Sequence, residues 1–455
     1  MSKHIERGYR PADPLRPPRH SAELSRSGTI PIYASSSPTP HLVRGSSSPE
    51  LTMVERPYRL LAICSHPVQY MSPLLVQMAK HPNINLQVAY CSMRGAHSAY
   101  DPEFAAVVQW DIPLLDGYNW VEIPNFGTGS ESFLGFCNPG LWRLIRRGTF
   151  DAVFCYTGYL KASFWIALMA ARLSGAAFLF GTDANTLAPR DSREWKVKLK
   201  KVLWPRLFSL ADQVIVPSSK TRELMRSLGI AEDRITLTPY CVDNDWWAAQ
   251  SAQVDRAAVR SRWRIEPDAT VVLFCAKLQP WKRPGDLLEA FAAARVSRAV
   301  LVFAGEGPLR QRLNQTALDL KIADRVRFLG FVNQSELPSV YKAADLMVLP
   351  SEYEPFGVVV NEASCCGCPV AASDGVGAAI DLIAPVNPDF IFPCGDVAAL
   401  TELLRSALSD PVRLAKRGQD ALRRMRSWSF QENISGVLEA MERALSRTRA
   451  KRAVP

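Results

Sequence analysis

Two carboxylates, Glu354 and Glu362, stand eight positions apart in the segment EPFGVVVNE, after a strand-like apolar run. A helix is predicted to begin near Phe356, with Glu354 in the loop ahead of it and Glu362 two turns along. The backbone N–H groups of Phe356, Gly357 and Val358 would then occupy the unpaired first turn, at the positive end of the helix dipole. An isolated pair of this kind is usually a helix cap and a solvated side chain. Here the pattern predicts an anion site whose two carboxylates can meet hydroxyl groups without a metal ion.

Two lysines, Lys277 and Lys282, follow a second strand-like run in the segment CAKLQPWKRPG. An ammonium group on a flexible stem is a mobile point charge, which suits the neutralisation of phosphate. The simpler interpretation of Lys282 is an ordinary solvated lysine at the start of a helix. The carboxyl ends of the predicted strands are expected to face a ligand cleft.

Two alternating series of elements must position these residues. Short apolar strands alternate with amphipathic helices, first over 59–228 and again over 270–372, which predicts βαβ units and parallel sheets. The expected fold class is α/β, with two doubly wound Rossmann-like domains that face each other across a cleft. The strands are predicted at 59–64, 85–90, 151–155, 176–181, 213–216, 270–275, 299–304, 325–329, 345–349 and 369–372, and the helices at 70–80, 161–174, 193–210, 218–228, 284–295, 308–320, 335–343, 357–366 and 429–447.

The same patterns divide the chain into four parts. Residues 1–57 are rich in Pro and Ser and are predicted to be disordered, because they contain too little apolar surface to offset chain entropy. Residues 58–248 form the predicted N-terminal Rossmann-like domain, and 249–427 the predicted C-terminal domain. Residues 428–455 are expected to form a helix that crosses back to the N-terminal domain, followed by a basic tail, because the helix has an apolar stripe.

Four segments resemble, in order and spacing, the donor-binding signature of the family 4 (group 1) retaining glycosyltransferases, which have the GT-B fold. EPFGVVVNE with the following ASCCGCPV is similar to the family's E-x-F-G-x-x-x-x-E run and its E-A-x-x-x-G-x-P-V continuation. CAKLQPWKRPG resembles the G-R-L-x-x-x-K-G segment, with Lys277 at the arginine position and Lys282 at the lysine position. LVFAGEGPL is similar to the G-x-G-P loop, and DRVRFLGFV to the next strand. The likeness covers about 270–375 and is looser before it.

This resemblance implies a role for each side chain that matches the signature. Lys277 and Lys282 would neutralise the diphosphate of a UDP- or GDP-sugar. Glu354 would contact the transferred sugar, and Glu362 would hold the ribose hydroxyls. The implied reaction retains the anomeric configuration and needs neither a cofactor nor a metal, because a donor phosphate oxygen can take the proton of the acceptor. The implied acceptor is lipid-linked or a glycan, in cell envelope polysaccharide biosynthesis.

The resemblance also assigns roles to the backbone. The N–H groups of Phe356, Gly357 and Val358 would cradle the phosphate and the sugar. The residues that would shape the nucleoside wall are Gly305, Glu306 and Gly307.

The N-terminal half departs from the family pattern at two places. Many members carry a His at the end of the strand that reads FLFGTDANT here, where Phe180 stands instead. Asp183 or Thr182 is expected to supply the polar contact. The usual Gly-rich loop after the first strand is replaced by CSHPVQYMSP, which places His66 at the cleft, although a loop His that caps the next helix is the alternative.

Composition and charge exclude some classes of protein. The net charge of +10 favours anionic partners, but the basic residues are dispersed and no recognition-helix or base-stacking motif is present, so no nucleic acid is expected. An apolar run of about 20 residues, which a spanning helix needs, is missing. With no export signal at the start, the location is expected to be cytoplasmic. Cys365, Cys366 and Cys368 lack a partner pair and are interpreted as packing residues, not as metal ligands.

The segment 193–208 is strongly basic, with six Lys or Arg against one Glu. Trp195, Leu199, Val202 and Leu203 fall on one face of the predicted helix. The default interpretation is a solvated helix whose apolar stripe is buried. A basic helix with a Trp can also rest on an anionic membrane, peripheral to its inner face.

Three functional classes remain open from the sequence alone. The favoured one is sugar transfer to a lipid-linked or polysaccharide acceptor. The second is a GT-B nucleotide-sugar epimerase, which would not need the EPFGVVVNE pattern. The third is a non-catalytic protein that binds a nucleotide sugar.

Overall fold

The computed structural model describes residues 56–101, 106–130, 132–188 and 194–453. The segment predicted to be disordered, 1–57, lies outside these ranges except for its last two residues. Arg56 is one of them, and it forms a salt bridge with Asp151 at 2.8 Å.

Short strands and helices alternate through both halves of the chain, as their apolar patterns predict. The strands are β1 (Tyr58–Cys64), β2 (Ile84–Tyr90), β3 (Ala99–Asp101), β4 (Ala106–Val108), β5 (Asn119–Glu122), β6 (Ala152–Cys155), β7 (Ala177–Gly181), β8 (Gln213–Val216), β9 (Ile235–Leu237), β10 (Thr270–Cys275), β11 (Ala299–Ala304), β12 (Val326–Gly330), β13 (Leu346–Leu349), β14 (Val370–Ser373) and β15 (Ile391–Phe392). The helices are α1 (Met71–Lys80), α2 (Gly140–Arg147), α3 (Ala162–Ser174), α4 (Trp195–Ser209), α5 (Ser219–Ser227), α6 (Asn244–Ala252), α7 (Arg256–Arg262), α8 (Pro284–Ala294), α9 (Arg310–Asp319), α10 (Leu337–Ala343), α11 (Val359–Cys365), α12 (Val397–Leu408), α13 (Pro411–Met425) and α14 (Phe430–Ala453).

Two parallel sheets organise these elements. The first has seven strands in the order β5-β2-β1-β6-β7-β8-β9, and the second has six in the order β12-β11-β10-β13-β14-β15. Each order reverses once, between β1 and β6 in the first sheet and between β10 and β13 in the second. The prediction of two doubly wound α/β domains is therefore confirmed. Such reversal points are where open α/β sheets bind ligands.

The central strands are buried on both faces because helices cover both sides of each sheet. Every residue of β6, β8, β11 and β13 is buried, for example. Their apolar side chains fill continuous cores, and this is why these strands read as unbroken apolar runs in the sequence.

The strands that the sequence patterns missed are short or lie at sheet edges, and the missed helices are α2, α6, α12 and α13. β5 is largely exposed and contains Trp120 beside polar residues, so it has no apolar run. β9 and β15 have three and two residues, too few for a periodic pattern. The predicted domain boundary at residue 248 falls inside α6.

The final helix, α14, packs on β7, β8 and β9 of the first sheet. Its start has the capping-box pattern S-x-x-E: the Ser429 backbone N–H donates to the Glu432 carboxylate at 2.8 Å, and Gln431 N–H donates to the Ser429 hydroxyl at 3.1 Å. Asn433 donates to the Pro239 carbonyl at 2.9 Å, which ties the helix to the segment that leaves the first sheet. The helix thus joins the end of the chain to the first domain.

Candidate active site

Lys282 and Glu354 meet at the reversal point of the second sheet. Lys282 ends a 3-10 turn that follows β10, and Glu354 lies in the loop that follows β13. The two side chains form a salt bridge and are each mostly buried, 16% and 15% exposed. Because β10 and β13 are neighbours in the sheet, residues 72 positions apart come into direct contact.

The loop that carries Glu354 is braced by the segment after β14. Glu354 N–H donates to the Gly375 carbonyl at 3.2 Å, Gly377 N–H donates to the Glu354 carbonyl at 3.0 Å, and Ala378 N–H donates to the Phe356 carbonyl at 2.8 Å. A Cβ atom at Gly377 would lie 2.1 Å from the Pro355 carbonyl oxygen, so only glycine permits this close approach. These hydrogen bonds tie the loop to the segment after β14.

The helix after this loop starts later than predicted. It is α11, which begins at Val359, so the amides of Phe356, Gly357 and Val358 lie in the loop and not in the first turn. Within the described ranges, no group accepts a hydrogen bond from these three amides. Gly357 has a φ of 97°, a left-handed conformation that delays the helix. As a consequence, Glu362 lies in the first turn of α11 and not two turns along.

Lys277 lies two positions after the end of β10, next to the glycine turn that follows β11. Leu278 N–H donates to the Glu306 carbonyl at 2.9 Å. Gly305 has a φ of 146°, and a Cβ atom there would lie 2.0 Å from the Ala276 carbonyl oxygen. The two loops can pack this closely only because the turn contains glycine, as at Gly307, whose φ is 155°.

The Glu362 carboxyl is buried. Tyr341 donates a hydrogen bond from its hydroxyl to Glu362 Oε2 at 2.7 Å. Burial raises the pKa of Glu362 from 4.5 to about 7, although hydrogen bonds from Tyr341 and Gln334 lower it in part. Sequence patterns did not single out Tyr341 or Gln334, because neither stands at a fixed spacing from Glu362.

In the first domain, His66 and Asp183 lie at the carboxyl ends of strands that face the cleft. His66 follows β1, and its Nδ1 atom lies 2.9 Å from the Ser65 hydroxyl. Asp183 follows β7 and lines a cavity of about 80 Å³ together with Thr182, Tyr156 and Tyr240. Burial is the main cause that raises the pKa of Tyr240 above its usual value, and the charges of Tyr70 and Asp183 raise it further.

Phe180, at the position of the expected His, lies in the core. Its side chain is 2% exposed and stacks on Phe208, with ring centroids 5.3 Å apart. The polar groups that reach the cleft from β7 are therefore the residues after the strand.

Several cleft contacts involve residues that the sequence patterns missed. The Asn185 side-chain amide donates to the Glu354 carbonyl at 3.1 Å and the Pro355 carbonyl at 3.0 Å. Tyr240, in the segment that leaves the first sheet, packs edge-on against Phe356, with ring centroids 5.7 Å apart. Trp428 stacks on Phe356, with ring centroids 6.1 Å apart. Its indole N–H donates to the Tyr240 carbonyl at 2.8 Å. In a single sequence, nothing distinguishes Asn185 and Tyr240 from ordinary polar or core residues.

A larger cavity, about 240 Å³, lies between α1 of the first domain and the segment that joins the two domains. Asn333, which precedes the lining residue Gln334, donates to the Gln109 carbonyl at 2.7 Å. Trp110 packs edge-on against Phe331, with ring centroids 6.1 Å apart. The polar residues that line the cavity beside Trp246 are Gln69, Gln77, Gln334, Asp116 and Asp243.

Two family models match the chain. The model described as "Glycosyl transferases group 1" matches residues 255–424, and "Glycosyl transferase 4-like domain" matches residues 87–241. The chain belongs to the group 1 glycosyl transferases. The paired lysine and carboxylate, the glycine turn and the amides of the 356–358 loop all lie within the first of these matches.

The chain matches its curated relatives over only part of their length. The chain is 30% identical to D-inositol 3-phosphate glycosyltransferase of Nocardia farcinica over 250 residues, which are 53% of this chain and 54% of the relative. It is 26% identical to the enzyme of that name from Streptomyces bingchenggensis over 339 residues, 69% of this chain and 71% of the relative. The chain thus spans about half the length of several curated relatives that it matches.

Solved structures with the same fold include that of Anabaena HepE in complex with UDP and glucose. It has a TM-score of 0.64 and 18% identity, and the match covers 85% of this chain and 99% of HepE. WaaG, a glycosyltransferase involved in lipopolysaccharide biosynthesis, has a TM-score of 0.59 and 15% identity, with 84% and 98% covered. These likenesses confirm the GT-B fold.

The three clustered cysteines pack inside the second domain of this glycosyl transferase. Cys365, Cys366 and Cys368 are all buried, and burial raises the pKa of each thiol. Among the residues that the structure describes, no group of three or more His, Cys, Asp or Glu side chains is placed to hold a metal ion.

Proposed function

We propose that the protein is a retaining glycosyltransferase that moves a sugar from a UDP- or GDP-sugar to a lipid-linked or polysaccharide acceptor, with no metal in the reaction. The observation that carries the proposal is the contact of Lys282 with Glu354 at the reversal point of the second sheet. The curated relatives are named as glycosyltransferases, and the HepE complexes contain UDP and UDP-glucose, which supports a nucleotide-sugar donor.

The donor diphosphate would bind between Lys277, Lys282 and the amides of the 356–358 loop. Glu354 neutralises Lys282, so a phosphate would compete with this carboxylate for the ammonium group. Donor binding would release Glu354 to accept hydrogen bonds from hydroxyls of the transferred sugar. Positive groups fixed in a partly buried site stabilise the departing phosphate, and they need no reorganisation during reaction.

The nucleoside would lie against the glycine turn at Gly305, Glu306 and Gly307. Glu362 would hold the ribose hydroxyls, with Tyr341 supporting its carboxyl. The glycine turn packs closely on the loop after β10, since a side chain at Gly305 or Gly307 would collide with that loop.

The acceptor would enter from the first domain. The 240 Å³ cavity combines the indole ring of Trp246 with carboxylate and carboxamide side chains, a combination that suits sugar rings and their hydroxyls. Asp183 and His66 lie on this side of the cleft and would orient the acceptor. Retention follows if the acceptor hydroxyl approaches the face that the phosphate leaves and gives its proton to a phosphate oxygen.

A transfer and hydrolysis assay over a panel of UDP- and GDP-sugars tests this function. Glu354→Gln is expected to lower turnover on the order of 100-fold, because it removes a positioned contact to the reacting sugar. Glu352→Gln is the matched control, since Glu352 is two residues away with a side chain that is 65% exposed. Wild-type turnover by Glu354→Gln would reject the site assignment, and conversion of the donor to an epimer would identify an epimerase. Binding without turnover of any donor would identify a non-catalytic binding protein.

We also propose that α4 rests on an anionic membrane surface, which would place a cytoplasmic enzyme at lipid-linked acceptors. The default interpretation of this helix, a buried apolar stripe, is wrong: Trp195, Leu199, Val202 and Leu203 are 57%, 45%, 55% and 50% exposed. The helix is anchored to the core by other residues, which are Trp204, Leu207 and Phe208.

Neighbouring segments extend the apolar surface of α4. Trp204 donates to the Tyr159 hydroxyl at 2.9 Å, and the residue after Tyr159, Leu160, is 59% exposed. Exposed apolar residues framed by lysines are what an interfacial helix presents to anionic lipids. Across the described ranges, no helix has the length and apolar character to cross a bilayer.

Co-sedimentation with vesicles tests the α4 surface. Lys196, Lys198 and Lys201 replaced together by Gln are expected to reduce binding to anionic vesicles with little change in thermal stability. Lys200 is left in place because it donates to the Leu187 carbonyl at 3.3 Å. In the control variant, three exposed cations of the second domain are replaced by Gln in the same way, and its vesicle binding should stay close to that of the wild type. These residues are Arg312, Lys321 and Lys416. Wild-type protein that does not bind anionic vesicles would show that α4 is only a structural helix.

A further inference from the structure

Asn185, in the first domain, donates two hydrogen bonds to a loop of the second domain, residues 354–358, which is called the donor loop below. The side chain is 6% exposed and follows β7 by four positions. Its amide donates to the carbonyls of Glu354 and Pro355, at 3.1 and 3.0 Å. The first of these carbonyls belongs to Glu354 itself, the residue whose carboxylate pairs with Lys282.

The contact depends on a side chain that donates. Nδ2 of Asn185 has two N–H bonds and donates to both carbonyl oxygens, whereas an Asp carboxylate has no N–H to donate. The change Asn185→Asp would not be neutral, since a carboxylate would then face two carbonyl dipoles in a buried site.

Other contacts hold the domains together independently of Asn185. Lys220 donates from Nζ to the Asp374 carbonyl at 2.8 Å, and Ser219 N–H donates to the Asp381 carboxylate at 2.9 Å. Both contacts reach the segment after β14 and not the loop 354–358. Closure of the cleft therefore does not depend on Asn185 alone, whereas its contact falls on the donor loop itself.

We propose that Asn185 is a positioning residue, which fixes the backbone of Glu354 when the first domain closes on the second. It acts through Glu354 and touches no reacting atom. The carboxylate is then in place for the donor sugar only in the closed form, so that transfer waits for closure. This proposal rests on the proposed sugar transfer, and it adds a link between domain closure and the position of the sugar-contacting carboxylate.

A double-mutant cycle tests the proposal through turnover. Asn185→Ala is expected to lower kcat at least tenfold while the KM for the donor changes less than threefold, because the phosphate and nucleoside contacts remain. In a Glu354→Gln background, the same substitution is expected to have almost no further effect, since its target is already lost. A merely structural role would lower activity equally in both backgrounds. An equal loss in both backgrounds, or an unchanged kcat, would overturn the proposal.

Asn138→Ala is the matched control. Asn138 is also buried, and its amide also donates to two carbonyls, those of Cys91 at 2.9 Å and Ile123 at 2.7 Å, but within the first domain. It is expected to lower thermal stability without a change in kcat per folded molecule.

Hydrogen–deuterium exchange separates failure of the proposal from failure of the proposed function. Asn185→Ala is expected to speed exchange of the Glu354, Gly377 and Ala378 amides, whose hydrogen bonds hold the loop, and Asn138→Ala is not. Faster exchange in a protein that shows no transferase activity would support the contact made by Asn185 and reject the proposed sugar transfer. Unchanged exchange of these amides would reject the role of Asn185 whatever the activity.

Discussion

Replacement of Glu362 by Gln should change the pH dependence of folding stability. The folded carboxyl has a pKa of about 7, against 4.5 for the ordinary group, because burial disfavours the charge. Between these two values the unfolded chain releases the proton and the folded chain keeps it. Each unit of pH in that window therefore lowers the free energy of unfolding, since the folded state binds more protons.

The magnitude follows from the difference in pKa. A difference of about 2.5 units, at about 1.4 kcal/mol per unit, amounts to about 3 kcal/mol. Above pH 7 the free energy of unfolding of the wild-type protein is lowered by this full amount, and below pH 4.5 it is not lowered. Glutamine stays neutral and can still accept the hydrogen bond from Tyr341, so it bears none of the pH-dependent cost.

Urea unfolding followed by tryptophan fluorescence, at several pH values from 5 to 8, measures this effect. The free energy of unfolding of Glu362→Gln, relative to wild type, is expected to rise across this range by about 2 to 3 kcal/mol. Glu289→Gln, on an exposed position of α8, is the control and should show a nearly flat difference. A difference for Glu362→Gln that does not vary with pH would refute the argument that its carboxyl is buried and held mostly protonated below pH 7.

Three further outcomes are expected. Glu362→Ala should weaken nucleotide binding on the order of tenfold in calorimetry while thermal stability falls little, and unchanged affinity would remove Glu362 from the ribose site. Transfer should persist in excess EDTA, because lysines and backbone amides take the place of a divalent cation; full loss with rescue by Mn²⁺ or Mg²⁺ would contradict this. Truncation after residue 427 should lower both solubility and activity, because it uncovers β7, β8 and β9 and removes the Trp428 ring from Phe356; a fully active truncated protein would show that α14 is dispensable.

The patterns that could be read from the sequence are those that arise from local physics. Buried parallel strands are continuous apolar runs, so β10, β11 and β13 were predictable almost to the residue. Glycine is recognisable where the backbone needs a positive φ, as at Gly305 and Gly357. The start of α11 was predicted too early for a related reason, because the left-handed turn at Gly357 postpones the helix by three residues.

Contacts between distant residues could be decided only by the tertiary structure. Lys282 and Glu354 were both candidates in the sequence, but their salt bridge depends on β10 and β13 being neighbours. Asn185 acquires its partners from a loop 169 positions away, through closure of two domains. Likewise, the apolar stripe of α4 is exposed because Trp204, Leu207 and Phe208 orient the helix, and periodicity alone cannot tell which of two apolar faces a fold buries. The sequence by itself determined the elements and the residue types at their ends, and the packing of elements far apart in the chain decided which of those residues meet.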